Sequence, residues 1–223
     1  MEQFSWPEQP NRTAFPIARA GLPFVFAAAF VTLVFALLGI TAIAVVGVIV
    51  TFCICGFFRD PDRVVPTAED AVVSPADGKV IKIEAIEDRR YYGGPCTRIS
   101  VFMSLLNVHV NRVCQDGTVK KVVYQPGKFV AADRDGAPQN NEQNAVFLET
   151  AAGAQICFVQ IAGLVARRII CWTQPGDQVK RGERFGMICF GSRLDVYLPP
   201  SVETRVQKGD RVRAGSSVIA FCR

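Results

Sequence analysis

The sequence predicts a mainly β domain of the barrel-sandwich-hybrid kind, with few helices, preceded by an N-terminal helical hairpin of membrane character. Three observations carry this reading: a charge-free apolar stretch near the N-terminus, a series of short β-branched and aromatic runs separated by turn pairs, and a Gly-Asp-x-Val-x-x-Gly repeat near the C-terminus. Half of the 223 residues are apolar. That is high for a soluble domain, so the excess apolar surface has to be hidden somewhere. Setting the apolar stretch aside still leaves enough chain for one domain with its own core.

Residues 1–19 read as a cytoplasmic segment. From Ala20 to Phe58 there is no Asp, Glu, Lys or Arg. As one straight helix this run of roughly 39 residues would be about 60 Å long, some two bilayer cores. Two helices, Pro23 to Leu38 and Thr41 to Phe57, broken at Gly39, account for it better. Arg12 and Arg19 precede the run and Arg59 and Arg63 follow it, so both ends of the hairpin (20–58) belong on the cytoplasmic side. A signal peptide needs a shorter apolar stretch. A buried core hairpin of a soluble protein remains an alternative, but it leaves the missing charges unexplained.

Residues 59–66, Arg-Asp-Pro-Asp-Arg-Val-Val-Pro, carry two prolines and four charges and read as a linker. The domain follows over 67–223. Its predicted strands are Arg98 to Met103, Asn107 to Val113, Thr118 to Tyr124, Ala145 to Thr150, Gln155 to Ile161 and Arg167 to Trp172, punctuated by Gly93-Gly94, Asp116-Gly117, Pro126-Gly127, Asp135-Gly136 and Ala152-Gly153. Gly176-Asp-Gln-Val-Lys-Arg-Gly182 recurs as Gly209-Asp-Arg-Val-Arg-Ala-Gly215. The pattern resembles the turns of lipoyl- and biotinyl-type folds, the barrel-sandwich hybrids, without a lysine placed for carrier attachment; a pair of ordinary β-turns is the alternative.

Eight cysteines occur without a CxxC pair, and there is a single histidine. A structural zinc site is therefore not expected, and the thiols read as reduced and buried in a cytoplasmic domain. The net charge of +5 is too diffuse for a nucleic-acid footprint and suits an anionic membrane lipid surface.

Three places can carry chemistry. His109 lies in Leu105-Leu-Asn-Val-His-Val-Asn-Arg112, where strand alternation would put Asn107, His109 and Asn111 on one face and Val108 and Val110 on the other. A solvated strand histidine fits the same pattern. Asp77, in Ser74-Pro-Ala-Asp-Gly78, can orient a histidine, although Asp-Gly is also a common turn pair. Gly191-Ser192 interrupts an apolar run, as a β-bulge or as a point of close backbone approach. The G-x-S-x-G elbow of conventional serine hydrolases is absent from the sequence.

Three segments, in order, make the chain similar to the phosphatidylserine decarboxylase proenzymes of the short bacterial and archaeal type: Ser74-Pro-Ala-Asp-Gly-Lys-Val80, Ser104-Leu-Leu-Asn-Val-His-Val-Asn-Arg112, and Phe185-Gly-Met-Ile-Cys-Phe-Gly-Ser-Arg-Leu-Asp-Val-Tyr-Leu-Pro199. The resemblance covers nearly all of the chain. Where longer members carry Leu-Gly-Ser-Thr, this chain has Phe-Gly-Ser-Arg, which leaves open how residue 193 assists maturation.

The resemblance implies cleavage between Gly191 and Ser192 into a β chain, 1–191, and an α chain, 192–223. Ser192 would be the nucleophile, His109 the general base and acid, and Asp77 the group that orients His109. Ser192 would become a covalent pyruvoyl cofactor that takes the substrate amine as a Schiff base; no metal is implied. The implied substrate is phosphatidylserine, converted to phosphatidylethanolamine and CO2 in phospholipid biosynthesis at the cell membrane, with the domain on the cytoplasmic side. A homo-oligomer is left open. Arg167, Arg168 and Arg193 read either as ligands of the phosphate or serine carboxylate or as solvated charges. Two other functions fit parts of the sequence. A membrane-anchored adaptor would explain the hairpin and the repeat but not Gly191-Ser192, and a pyruvoyl decarboxylase of a soluble amino acid would have no need of the hairpin.

Overall fold

The computed structural model describes residues 16–68, 70–130, 140–164, 168–189 and 191–222. It divides at the linker into two compact units, one of residues 11–62 and one containing Arg63–Arg223.

In the first unit a 3-10 turn, Arg19–Gly21, leads into α1 (Leu22–Leu37), which is followed by α2 (Thr41–Phe57). The chain reverses at Gly39, whose φ of 72° lies in the left-handed region that glycine enters at no steric cost. Phe26, Leu37, Val46 and Phe52 are exposed. Thr32 and Thr51 donate to the Ala28 and Gly47 carbonyls at 2.7 and 2.8 Å, so these hydroxyls need no water. A Cβ on Gly47 would fall 2.4 Å from Thr32 Oγ1, so the helices meet closely there. By length and composition the stretch Arg19–Leu37 can cross a bilayer; Thr41–Phe57 is shorter.

The second unit is mainly β and is arranged as two similar halves, one inserted in the other. The outer half comprises β1 (Ala71–Val73), β2 (Gly78–Asp88) and β3 (Gly94–Met103), and it resumes much later with β11 (Ser192–Leu198), β12 (Glu203–Thr204), β13 (Arg211–Val212) and β14 (Val218–Phe221). Between them lies the inner half: β4 (Val110–Arg112), β5 (Gly117–Gln125), β6 (Gln143–Glu149), β7 (Gln155–Ile161), β8 (Ile169–Cys171), β9 (Gln178–Val179) and β10 (Arg184–Ile188).

An eight-stranded sheet, curled into a half-barrel, runs β13-β2-β3-β11-β7-β6-β5-β9. From either end the order is the same: a two-residue strand, a long strand, its hairpin partner, then a central strand. The central strands β11 and β7 pair antiparallel, with Val196 opposite Phe158. The three-stranded sheets β1-β14-β12 and β4-β10-β8 repeat the relation. Detail matches as well. The register shifts between Val80 and Lys82 on β2 and between Val119 and Lys121 on β5. The Asp210 carbonyl accepts from Val80 N–H and the Asp177 carbonyl from Val119 N–H, both at 2.8 Å. Val179 and Val212, the inward valines of the repeat, are both buried. The repeat is thus the part of a twofold arrangement that shows in the sequence.

The main core lies on one face of the curled sheet and includes Val72, Val101, Val146, Phe158, Phe185 and Leu194, and a smaller cluster with Cys157, Val159 and Tyr197 lies on the other. Phe158 and Phe185 meet edge to face, with centroids 4.6 Å apart, a geometry the aromatic quadrupole favours.

Several expectations need correction. The strand expected over Asn107 to Val113 is a turn followed by the three-residue β4: Asn107 Oδ1 accepts from the Ser104 amide and hydroxyl at 2.9 and 2.7 Å, which closes the turn. Its polar and apolar residues do not separate onto two faces, because Val108, His109, Val110, Asn111 and Arg112 are all buried. Strand β8 is shorter than expected, and Arg167, like Asp135-Gly136, lies outside the described residues. Eleven-residue β2 was not expected; its bulge breaks the alternation that reveals a strand. Of the eight free cysteines only Cys96, Cys114 and Cys157 are buried; Cys53 is exposed and the remainder are half-buried.

Phe158→Ala is expected to cost about 3–5 kcal/mol, the usual penalty for emptying an aromatic site in a packed core, measured by chemical denaturation of the detergent-solubilised protein. Burial pushes the Cys114 thiol up to about 12 from its ordinary value of 9.0. The folded state therefore holds this proton more tightly than the unfolded chain, and the stabilisation present below pH 9 is lost as the pH rises towards 12. Denaturation midpoints recorded across that window should fall, and Cys114→Ala should flatten the fall.

Candidate active site

The chain passes between the halves twice, once after β3 and once before β11, and two of the expected site positions, His109 and Gly191-Ser192, lie on or at the end of these crossovers. Ser192 is the first residue of β11, is fully buried and stands opposite Met103, the last residue of β3. Its Oγ donates to Met103 Sδ at 3.6 Å, a weak acceptor. His109 is fully buried on the outgoing crossover. Its carbonyl accepts from Ile188 N–H at 3.3 Å, which ties that crossover to the end of β10, three residues before Gly191. A Cβ on Gly191 would meet nothing within 4 Å, so this glycine leaves open space beside the peptide expected to be cut.

Asp77 is buried in the turn before β2. The Ala214 N–H donates to its Oδ1 at 2.7 Å and Arg63 Nη2 to its Oδ2 at 2.8 Å. These two groups, rather than His109, hold the carboxylate in this structure, and Ser192 gives its proton to sulfur rather than to imidazole. Ser192 and His109 are thus brought to adjoining crossovers, while Asp77 stands in a separately anchored turn.

Beside Ser192 runs a buried relay of amides. Asn144 Nδ2 donates to Gln160 Oε1 at 3.0 Å, Gln160 Nε2 to Asn111 Oδ1 at 2.9 Å, and Asn111 Nδ2 to Met103 Sδ at 3.6 Å. Two donors, Asn111 Nδ2 and Ser192 Oγ, therefore converge on one thioether. The relay needs Gly186, because a Cβ there would fall 2.9 Å from Gln160 Nε2 and 2.3 Å from the Ile170 carbonyl. Sequence reading placed Asn111 beside His109 but missed Met103, Gln160 and Asn144. The available signal was an amide inside each of the apolar runs of β6 and β7.

Arg193 corrects another expectation. It is fully buried, with Nε and Nη2 on the Asp195 carboxylate at 2.6 and 2.9 Å and Nη2 also on Ser100 Oγ at 2.8 Å. It is neither a solvated charge nor open to a lipid headgroup. The pair sits on the sheet face opposite Ser192, near Tyr197, whose phenol is pushed well up by burial and then by Asp195. Arg168 is exposed.

The phosphatidylserine decarboxylase family model matches residues 50–220. Curated relatives named phosphatidylserine decarboxylase proenzyme share close to half of their residues with this chain. The one from Syntrophus aciditrophicus is 48% identical over 202 residues, covering 90% of this chain and 95% of its own. That from Geotalea uraniireducens is 48% identical over 206 residues, 92% and 96% of the two chains. That from Cupriavidus taiwanensis is 49% identical over 207 residues, 92% and 94%.

Replacing Gln160 by Leu strands the buried Asn111 carbonyl and Asn144 amide, at about 1–3 kcal/mol for each unmet group. A lowered melting temperature is expected, checked by thermal denaturation. Asn144→Leu together with Gln160→Leu should cost less than the sum of the two single changes, because they share one hydrogen bond.

Proposed function

This chain belongs to the phosphatidylserine decarboxylase family, and we propose that it cuts itself between Gly191 and Ser192, gains a pyruvoyl group at residue 192, and decarboxylates phosphatidylserine to phosphatidylethanolamine at the cytoplasmic face of the cell membrane. The observation that carries the reading is the placement of Ser192: a buried hydroxyl at the point where the chain re-enters the sheet, just after a glycine whose surroundings are open.

In the proposed maturation His109 takes the Ser192 Oγ proton as Oγ attacks the Gly191 carbonyl carbon. The C–N bond then breaks, and the Ser192 nitrogen gains a proton, leaving an ester. Loss of the Cα proton and cleavage of Cβ–Oγ release residues 1–191 with a C-terminal carboxylate. Tautomerisation and addition of one water expel ammonia. The surroundings fit the product: among the described residues the hydroxyl that disappears is bonded to a thioether, and Met103 tolerates a methyl in its place without stranding a strong acceptor. A pyruvoyl group supplies the electron sink that decarboxylation requires. Towards it, buried His109 delivers a proton to the carbon that loses CO2.

The hairpin supports a lipid substrate, since an anchor of this kind would hold the domain at the membrane, where phosphatidylserine resides. The exposed apolar side chains of α1 and α2 and the positive residues on both flanks fit a re-entrant or spanning anchor with both ends in the cytoplasm.

Intact-mass spectrometry of protein extracted from membranes should reveal a C-terminal fragment beginning at residue 192 and blocked to Edman degradation. Ser192→Ala should abolish it, and His109→Ala should slow its appearance by on the order of a hundredfold or more. A single full-length species in active protein would refute the proposal.

A further inference from the structure

We infer that Arg63, the last charged residue of the linker, is a positioning residue for self-cleavage: it fixes the carboxylate of Asp77 so that this group can serve His109. The inference rests on the maturation proposed above and concerns a residue outside its expected triad.

The twofold arrangement of the domain supplies an internal control. Asp77-Gly78 and Asp116-Gly117 occupy matching places, each opening a long bulged strand. In each, the aspartate Oδ1 accepts from the amide just before the second glycine of a repeat, Ala214 N–H for Asp77 and Arg181 N–H for Asp116, both at 2.7 Å. That bond is therefore a clamp that the fold uses twice. Asp116 makes it while exposed, so the clamp requires neither burial nor a cation.

Asp77 has both. Its carboxylate and the Arg63 guanidinium meet at 2.8 Å with each side chain only 12% exposed. Removing a carboxylate from water is costly unless it is paired, and the inner half shows that the turn forms without that cost. The burial at Asp77 and the ion pair that makes it tolerable go beyond what the fold demands. The linker is also seated: Val65 Cγ2 lies 2.4 Å from where a Cβ on Gly182 would stand, so the backbone that carries Arg63 packs on the first repeat. A carboxylate oxygen accepts more than one hydrogen bond, and Oδ2, held from one side by Arg63, keeps acceptor capacity for an imidazole N–H.

The test follows formation of the α chain by intact mass after synthesis of the full-length protein into phosphatidylglycerol–phosphatidylethanolamine vesicles. Arg63→Met should slow processing about tenfold or more, the scale of a misplaced catalytic group. Arg63→Lys should recover most of the rate. In an Asp77→Asn background Arg63→Met should add no further slowing, and Asp116→Asn should process at the wild-type rate. The inference is overturned if Arg63→Met matches wild type, if its slowing persists in full without the Asp77 carboxylate, or if Arg63→Lys is as slow as Arg63→Met. Should Arg63→Met fail to fold, Arg63→Lys and Asp116→Asn decide: a slow lysine variant with a cooperative melt, or an Asp116→Asn variant as slow as Asp77→Asn, overturns it. Asp77→Asn protein that processes normally would overturn it as well, whereas wild-type protein that forms no fragment at residue 192 would instead refute the maturation reading itself.

Discussion

Strand Ser192–Leu198 is paired along both edges, with β3 on one side and β7 on the other, and every one of its residues is buried. The architecture depends on this double pairing, because β11 is where the inner and outer halves share one sheet. It also makes a break just before Ser192 tolerable. The segment that would follow the break supplies Leu194, Val196, Leu198 and Ile219 to the core, and its later strands pair with β1 and β2. Pulling it away would expose all of that apolar surface and both ladders at once. A chain cut here would lose a covalent bond while these pairings and core contacts oppose separation of the two parts.

The same double pairing explains why the candidate site lies at a seam. In the inner half, β6 turns directly into β7 across a tight turn, in which Thr150 N–H donates to the Ala154 carbonyl at 3.0 Å. At the matching place in the outer half, between β3 and β11, the whole inner half is inserted. The chain must leave and return there, and its two crossovers carry His109 and Gly191-Ser192. Where the halves agree, residues such as Val179 and Val212 serve the fold. Where they differ, as between buried Asp77 and exposed Asp116, the difference has to be accounted for by something other than folding.

Polarity inside this core is concentrated and mostly satisfied. The Asn144–Gln160–Asn111 relay and the Arg193–Asp195–Ser100 cluster lie near the start of β11, on opposite faces of the sheet. Such groups are tolerated in a low-dielectric interior only when hydrogen-bonded, and once bonded they hold their neighbours in a single arrangement. One part of it is weakly held: Ser192 and Asn111 both spend a donor on the Met103 thioether, a weak acceptor. Their hydrogen-bonding capacity is therefore cheap to redirect.

Much of the molecule was legible in the amino-acid sequence, for reasons of local chemistry. The charge-free run with its Gly39 break, the alternating strands β3 and β5–β7, the inward valines and the Gly-Asp turns are each determined by residues close together in the chain, and the structure has them within a residue or two of the expected limits, save that β3 begins four residues earlier, at Gly94. The resemblance to a decarboxylase family was carried by three short segments, each readable alone. What could not be read depends on partners distant in sequence. Strand β2 hid behind a bulge, and the stretch around His109 reads as an alternating strand because only the folded chain covers it on every side. Arg193 looked like a surface cation until Ser100 and Asp195 closed around it. Sequence determined which residue types were present and which backbone turns they permit. Tertiary structure alone decided which of them meet, because a contact such as Arg63 with Asp77 or Gln160 with Asn111 depends on the path of the whole sheet and leaves no mark on the residues next to it.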